Sequence, residues 1–290
     1  MKKPFLISLI LTGTMLSAQT KAPDLKYDFN TFYVCLDSVT YRNLFTDTYI
    51  KDSLFFCKEA STHTGEEDYS GKYAIGQTTT LEFFSPAMTD QHGDHFGDAG
   101  LEFKTRRYGS LSEYAANAKK QQIPFNRDTT TIPGKKGMLK WYCSLICEKR
   151  PDPLSLIMLE YQPEYMRLLG FSAAETKIAM SPLAFNTRLS KGKKFPRLFS
   201  SITSVTIVVS PAERQLLRDF TDMYGFTLTD TELTGGPFSI HYSISERAPA
   251  FRVQQVEIAL LKATAARDIT VSPNLHVITK GKTATLQFHY

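Results

Sequence analysis

Apolar and polar residues alternate over Phe29–Asp37, which puts Phe32, Val34 and Leu36 on one face of a predicted strand. Asp37 or Ser38 stands where a cap belongs for a helix from Val39 to about Ile50, whose Tyr41, Leu44, Phe45 and Thr48 share a face. Leu54–Glu59 reads as a second strand. Lys72–Gly76 and Thr79–Ser85, rich in Thr, Phe and Tyr, read as a hairpin. The order is strand, helix, strand, strand, strand.

The same order returns downstream. Ala99–Arg106 is a predicted strand, and Ser110 with Glu113 has the spacing of a capping box for a helix through Lys120. Phe125–Thr130, Leu139–Glu148 and Leu154–Tyr161 follow as strands, joined by a turn around Gly134–Gly137 and by Pro151 and Pro153. What repeats is the element order and hydrophobic pattern, not the residues themselves.

A third copy follows a looser stretch. Pro163–Leu169 and Ala173–Met180 are predicted short helices, the second capped by Ser172 with Glu175. Arg188, Lys191, Lys193, Lys194 and Arg197, mixed with Gly192 and Pro196, read as a solvated basic linker. Ile202–Val209 is then a strand. Ser210-Pro211-Ala212-Glu213 combines an N-cap serine, a first-turn proline and a capping-box glutamate. Leu216, Leu217, Phe220 and Tyr224 give that helix its apolar face, and Gly225 ends it. Strands are expected at Thr227–Glu232, Phe238–Ser243, Phe251–Leu261, His276–Lys280 and Thr283–His289. The pattern divides the chain into a leader (1–18), a paired-unit domain (28–165), a helical and basic linker (166–199) and a C-terminal unit (200–290).

Composition supports a globular protein: of 290 residues, 42% are hydrophobic and 12% aromatic, enough for a sizeable core. The one apolar run that could concern a membrane is N-terminal. Lys2 and Lys3 precede Phe5–Met15 and then Leu16-Ser17-Ala18, the layout of a secretory leader cut after Ala18. The expectation is an exported protein, periplasmic or extracellular, with no membrane span in the mature chain. The formal charge of +5 drops by two when Lys2 and Lys3 leave, too small a surplus to argue for nucleic acid or an anionic membrane as partner.

The four cysteines all lie beyond the leader. Cys143 and Cys147 are four residues apart on one predicted strand, roughly 13 Å at about 3.3 Å each. A disulfide spans less than about 7 Å, so the two are expected to remain thiols. No CxxC zinc pattern, GxGxxG, Walker A, HExxH or GxSxG occurs. Asp90-Gln-His92-Gly-Asp94-His95-Phe-Gly-Asp98 reads as a polar turn before the Ala99 strand, and Trp141 as a core residue.

Two tandem βαβββ units resemble the vicinal oxygen chelate superfamily of glyoxalases, bleomycin-resistance proteins and extradiol dioxygenases. The likeness rests on Thr31-Phe-Tyr-Val and Leu81-Glu-Phe-Phe in the first unit, and on Gly100-Leu-Glu-Phe and Met158-Leu-Glu-Tyr in the second. Gly97-Asp98-Ala99-Gly100-Leu101 and Glu160-Tyr161-Gln162-Pro163-Glu164-Tyr165 look like segments of a group of uncharacterised exported, glyoxalase-like bacterial proteins. The resemblance implies an α+β fold whose paired units curl into a half-barrel, with a third βαβββ-like unit at the C-terminus. In the superfamily's metal enzymes, first-strand His or Gln and last-strand Glu hold the ion. Here Thr31 and Gly100 stand at the first-strand positions, and Glu82 and Glu160 at the last-strand ones, so neither metal nor cofactor is expected.

Strand alternation extends that reading to a pocket wall. Thr31 brings Tyr33 and Cys35; Gly100 brings Glu102 and Lys104; Glu82 brings Thr80 and Phe84; Glu160 brings Met158 and Gln162. Glu82 and Glu160 are therefore the candidate catalytic carboxylates, with Tyr33, Glu102 and Lys104 as candidate ligand contacts. The expected function is binding of a small polar ligand. The alternatives are a lyase or isomerase with a pocket glutamate as general base, and a structural or interaction protein. Oligomeric state is left open.

Overall fold

The computed structural model of the chain describes residues 26–87, 94–147, 154–190, 197–247 and 249–290. The expected leader, the basic residues Lys191, Lys193 and Lys194, and Asp90 and His92 lie outside the described residues. The fold is α+β, and its elements come in three βαβββ units. The first holds β1 (Tyr27–Cys35), α1 (Ser38–Asn43), β2 (Phe56–His63), β3 (Asp68–Ile75) and β4 (Thr80–Phe84). The second holds β5 (Ala99–Thr105), α2 (Ser110–Gln121), β6 (Phe125–Gly134), β7 (Gly137–Cys147) and β8 (Leu154–Tyr161).

In each unit the first and last strands pair in parallel, β1 with β4 and β5 with β8, which the intervening helix and hairpin make possible. β1 and β5 then pair antiparallel, so the two units form one eight-stranded sheet in the order β2-β3-β4-β1-β5-β8-β7-β6. This is the expected tandem half-barrel. Its convex face is apolar, with Phe32, Val34, Leu81, Phe83, Leu101 and Phe103 all buried. Its concave face carries the polar and tyrosine residues of the same strands.

The segment expected to be a linker is built into the fold. α3 (Pro163–Leu168) forms as expected, but Ala173–Met180 contributes only one short 3-10 turn, Glu175–Lys177. The Ser172–Glu175 capping pair does form, Ser172 N donating to the carboxylate and Glu175 N to the hydroxyl. A helix not anticipated, α4 (Pro182–Leu189), follows and lies over the concave face.

The third unit comprises β9 (Phe199–Val209), α5 (Pro211–Tyr224), β10 (Thr227–Leu228), β11 (Glu232–Gly235) and β12 (Phe238–Ile244), again with first and last strands parallel. The Ser210–Glu213 capping box is present. The two-residue β10 falls short of the strand expected over Thr227–Glu232, because Thr229–Thr231 form a turn stitched by Thr229 Oγ1. β13 (Val253–Ser272) and β14 (Leu275–Phe288) complete a six-stranded sheet, β10-β11-β12-β9-β13-β14. Two long strands replace the three expected. Gly281, at φ +59°, bulges within β14 and does not turn the chain.

This second sheet packs on the convex side of the first. Phe103 of β5 meets Phe29, Phe220, Phe226 and Phe238 at ring-centre distances of 5.2, 5.4, 4.9 and 5.7 Å. Phe29 also stacks on Phe238 at 3.7 Å. One apolar core therefore runs through all three units.

Candidate functional site

The concave face of the eight-stranded sheet holds two adjoining cavities, of about 270 and about 180 Å³. They share a wall of Tyr69 and Glu82 from the first unit with Glu102 and Tyr142 from the second. Register explains how the two carboxylates come together. Tyr33 lies opposite Glu82 across β1–β4, and Thr31 lies opposite Glu102 across β1–β5. Glu82 and Glu102 thus flank the central strand from its two sides, both on the face opposite Leu81, Phe83, Leu101 and Phe103. Both are half-buried.

Burial, and then for Glu82 the charge of Glu102, holds Glu82 well above the ordinary carboxylate range. Burial likewise raises Glu102, offset in part by hydrogen bonds it accepts from Asn30 and Thr31. No lysine, arginine or histidine among the described residues forms an ion pair with either one. Tyrosines fill the space around them. Tyr69 and Tyr142 have hydroxyls pushed up first by burial and then by these two carboxylates. Tyr161 is raised by burial too, and stacks on Phe185 at 4.6 Å.

Tyr33 lines the smaller cavity as expected, and Gly100 is what lets it do so. A Cβ on Gly100 would land on the Tyr33 ring, so the glycine serves the close approach of an aromatic side chain across the strand pair. Lys104 is on the expected face but outside both cavities. Its ammonium sits 4.2 Å from the Phe185 ring centre, only 3% of the residue is exposed, and it has no hydrogen-bond partner. Desolvation lowers its pKa to about 8. α4 and Tyr161 wall it off, which strand alternation alone does not reveal.

Glu160 departs from the expectation altogether. It is 2% exposed and faces the helices: its carboxylate accepts from Leu111 N at 2.9 Å and from Thr105 Oγ1 at 3.3 Å, at the start of α2. Leu159 and Tyr161 line the larger cavity instead, while Met158 is buried on the convex side. The Leu-Glu pairs of β4 and β8 look alike in sequence but differ in phase by one residue, and a one-residue shift exchanges the two faces of a strand. Glu82 and Glu160 therefore do not converge; Glu82 and Glu102 do.

Trp141 does not take the core place its strand pattern suggests: it lines the larger cavity beside Tyr142 and Tyr165, at ring-centre distances of 4.9 and 6.0 Å. The largest omission is α4, whose Phe185, Asn186 and Leu189 cover that cavity. A signal for it exists: Ser181-Pro182 repeats the cap-and-proline start of α5, and Ser181 Oγ accepts from Ala184 N. Cys35 is buried at the end of β1, its thiol pushed up to about 12 by desolvation and by Asp98 and Asp94. None of the four cysteines is in a disulfide.

The superfamily's transition-metal site does not fit this donor set. The strand positions that would converge on an ion present Thr31, Tyr33, Gly100, Leu159 and Tyr161 beside the two glutamates, with no imidazole. Among the described residues, no group of three or more His, Cys, Asp and Glu converges to hold an ion. No helix among the described residues is long and apolar enough to cross a membrane.

Residues 29–288 match the model of DUF5829, a family of unknown function. The chain belongs to this family. No functionally curated protein matches the sequence. Among solved structures, a hypothetical protein from Staphylococcus aureus shares this DUF5829 fold at a TM-score of 0.54 and 10% identity, over 84% of this chain and 95% of that one. More distant are a fusion of a xylose isomerase-like TIM barrel with 4-hydroxyphenylpyruvate dioxygenase (TM-score 0.45, 10% identity, 78% and 34% covered) and the Mn(II)-bound glyoxalase from Novosphingobium aromaticivorans (0.35, 10%, 75% and 62%). The paired units of this DUF5829 chain form one continuous sheet of two tandem βαβββ units.

Proposed function

We propose that this protein binds a small polar ligand on the concave face of its paired units, without a transition metal, and that Glu82 and Glu102 anchor it. One observation carries the reading: two half-buried carboxylates, unpaired with any cation among the described residues, occupy the wall common to two cavities. Burying carboxyl groups without a countercharge costs free energy, and a bound ligand that meets them offsets that cost. A second reading, a lyase or isomerase in which Glu82 takes a proton from an acidic C–H, is favoured by the upward shift of Glu82 toward neutral pH. We also propose export after cleavage at Ala18, as in the exported glyoxalase-like proteins the sequence resembles; N-terminal sequencing of secreted protein that begins at Met1 would refute it.

The binding test is a thermal-shift survey of the full chain against amines, polyols, amino acids and hydroxy acids. At least one class is expected to raise the melting temperature of the wild type, and the shift is expected to vanish in the double variant Glu82→Gln/Glu102→Gln. A panel without effect, or a shift retained in the double variant, would remove the site from this face.

A further inference from the structure

The smaller cavity differs in character from the larger one. Its walls bring together five carboxylates: Glu66 and Glu67 from the turn between β2 and β3, Asp94 from the approach to β5, and Glu82 and Glu102. No lysine, arginine or histidine lines it among the described residues. The whole chain has a formal charge of +5, so this acidity is local and not a general property of the surface. To the two shared glutamates the larger cavity adds no further carboxylate: Lys58 is exposed at its rim, and the rest of its lining is neutral, with tyrosines and Trp141.

A second observation concerns Ser155. It is 1% exposed, its Oγ has no hydrogen-bond partner, and it lines the acidic lobe. An orphaned buried hydroxyl costs free energy, and an N–H donor from a ligand in the lobe would satisfy it. Tyr33, Tyr69 and Tyr142 border the same space, and ring faces attract organic cations.

The spacing of the acids selects among cations. Although five carboxylates line the lobe, no three acidic, histidine or cysteine groups converge on a point among the described residues. A single metal ion gathers its oxygens at about 2.0–2.6 Å and has no such nest here. Charges distributed along a wall suit several ammonium groups held apart by methylenes. We infer that the cavity takes a linear organic polyamine, its ammonium groups in the acidic lobe near Glu66, Glu67, Glu82 and Glu102, and its methylene chain running past Tyr69 and Tyr142 into the larger lobe. Lys58, exposed at the rim of the larger cavity, repels a cationic end there and so favours the acidic lobe for the ammonium groups. This assignment rests on the binding reading above and names its ligand class.

Isothermal titration of the full chain at low ionic strength tests it, with spermidine, putrescine, the neutral isostere 1,4-butanediol and CaCl₂ as separate titrants. Spermidine is expected to bind more tightly than putrescine, and butanediol at least about tenfold more weakly than putrescine, a loss of roughly 1.4 kcal/mol. Glu66→Gln/Glu67→Gln, at the rim and away from the core, is expected to weaken spermidine binding by about tenfold or more without moving the melting temperature of the free protein. Butanediol equal to putrescine, calcium binding with no heat from either amine, or spermidine affinity unchanged in the rim variant would each overturn the inference. If a neutral polyol binds and loses its effect in Glu82→Gln/Glu102→Gln, the polyamine falls while the cavity reading stands. If no compound of the survey acts on the wild type, both fall.

Discussion

Two strand-paired residues decide most of the site. Gly100 makes room for the Tyr33 ring, and Tyr33 in turn separates Glu82 from Gly100 across the central strands. Glu82, Tyr33 and Glu102 were legible from alternation because β1, β4 and β5 each bury a clean apolar face. Glu160 was not, because β8 is apolar on both faces, with Leu156 and Met158 on one side and Ile157 and Leu159 on the other. Such a strand gives alternation no phase. The raised carboxyls carry a pH signature. Folded Glu82 and Glu102 retain protons at pH values where the unfolded chain has lost them, so stability falls as pH rises from the ordinary carboxylate range through their folded-state titration. The melting temperature is expected to drop between about pH 5.5 and about pH 8.5, and Glu82→Gln to flatten that drop and to be the more stable protein at the alkaline end. Parallel melting curves for the two proteins across this range would contradict the half-buried placement of Glu82 without a countercharge.

At the level of elements, the start of α2 shows how a cap can be supplied from elsewhere. Sequence pattern assigns the cap to Ser110 with Glu113, but Gly109, at φ +96°, occupies the cap position and has no side chain to offer. Glu113 instead pairs with Arg107 at 2.6 Å. The open amide of Leu111 is met by the Glu160 carboxylate, where a negative charge also suits the helix dipole. Local grammar does not reach a partner 49 residues away, and for the same reason it presents the segment of α4 that covers the cavity as a linker. Glu160→Ala removes the cap and leaves a buried amide unsatisfied. A loss of about 1–3 kcal/mol is expected in urea unfolding. Any ligand shift found in the thermal survey should persist in this variant. A variant as stable as the wild type, or one that loses the shift, would return Glu160 to the binding face.

For the whole molecule, the third unit is the far half of the core and not an appended domain. Phe29, Phe103, Phe220 and Phe238 interlock across the two sheets. Backbone amides of Gln77 and Thr78 bond to Phe199 O and Ser200 O at the seam, and Ile202 N donates to Thr79 Oγ1 at 2.8 Å. The Tyr224 hydroxyl reaches Leu145 O, and a buried Thr40–Ser272 hydroxyl pair ties α1 to β13. The three units were legible in sequence because each repeats its own local pattern. Their arrangement was not, because the convex faces are apolar in all three and pattern does not say which face covers which. If the core is shared, the units cannot melt separately. Calorimetry is expected to show a single transition whose van't Hoff and calorimetric enthalpies agree. Phe238→Ala, which empties the stack on Phe29, should lower that one transition by about 3–5 kcal/mol. Two resolved transitions in the wild type, with Phe238→Ala moving only one of them, would mean that the sheet bearing the cavity stands without the third unit, and that the contacts across the seam contribute little to holding Glu82 and Glu102 in place.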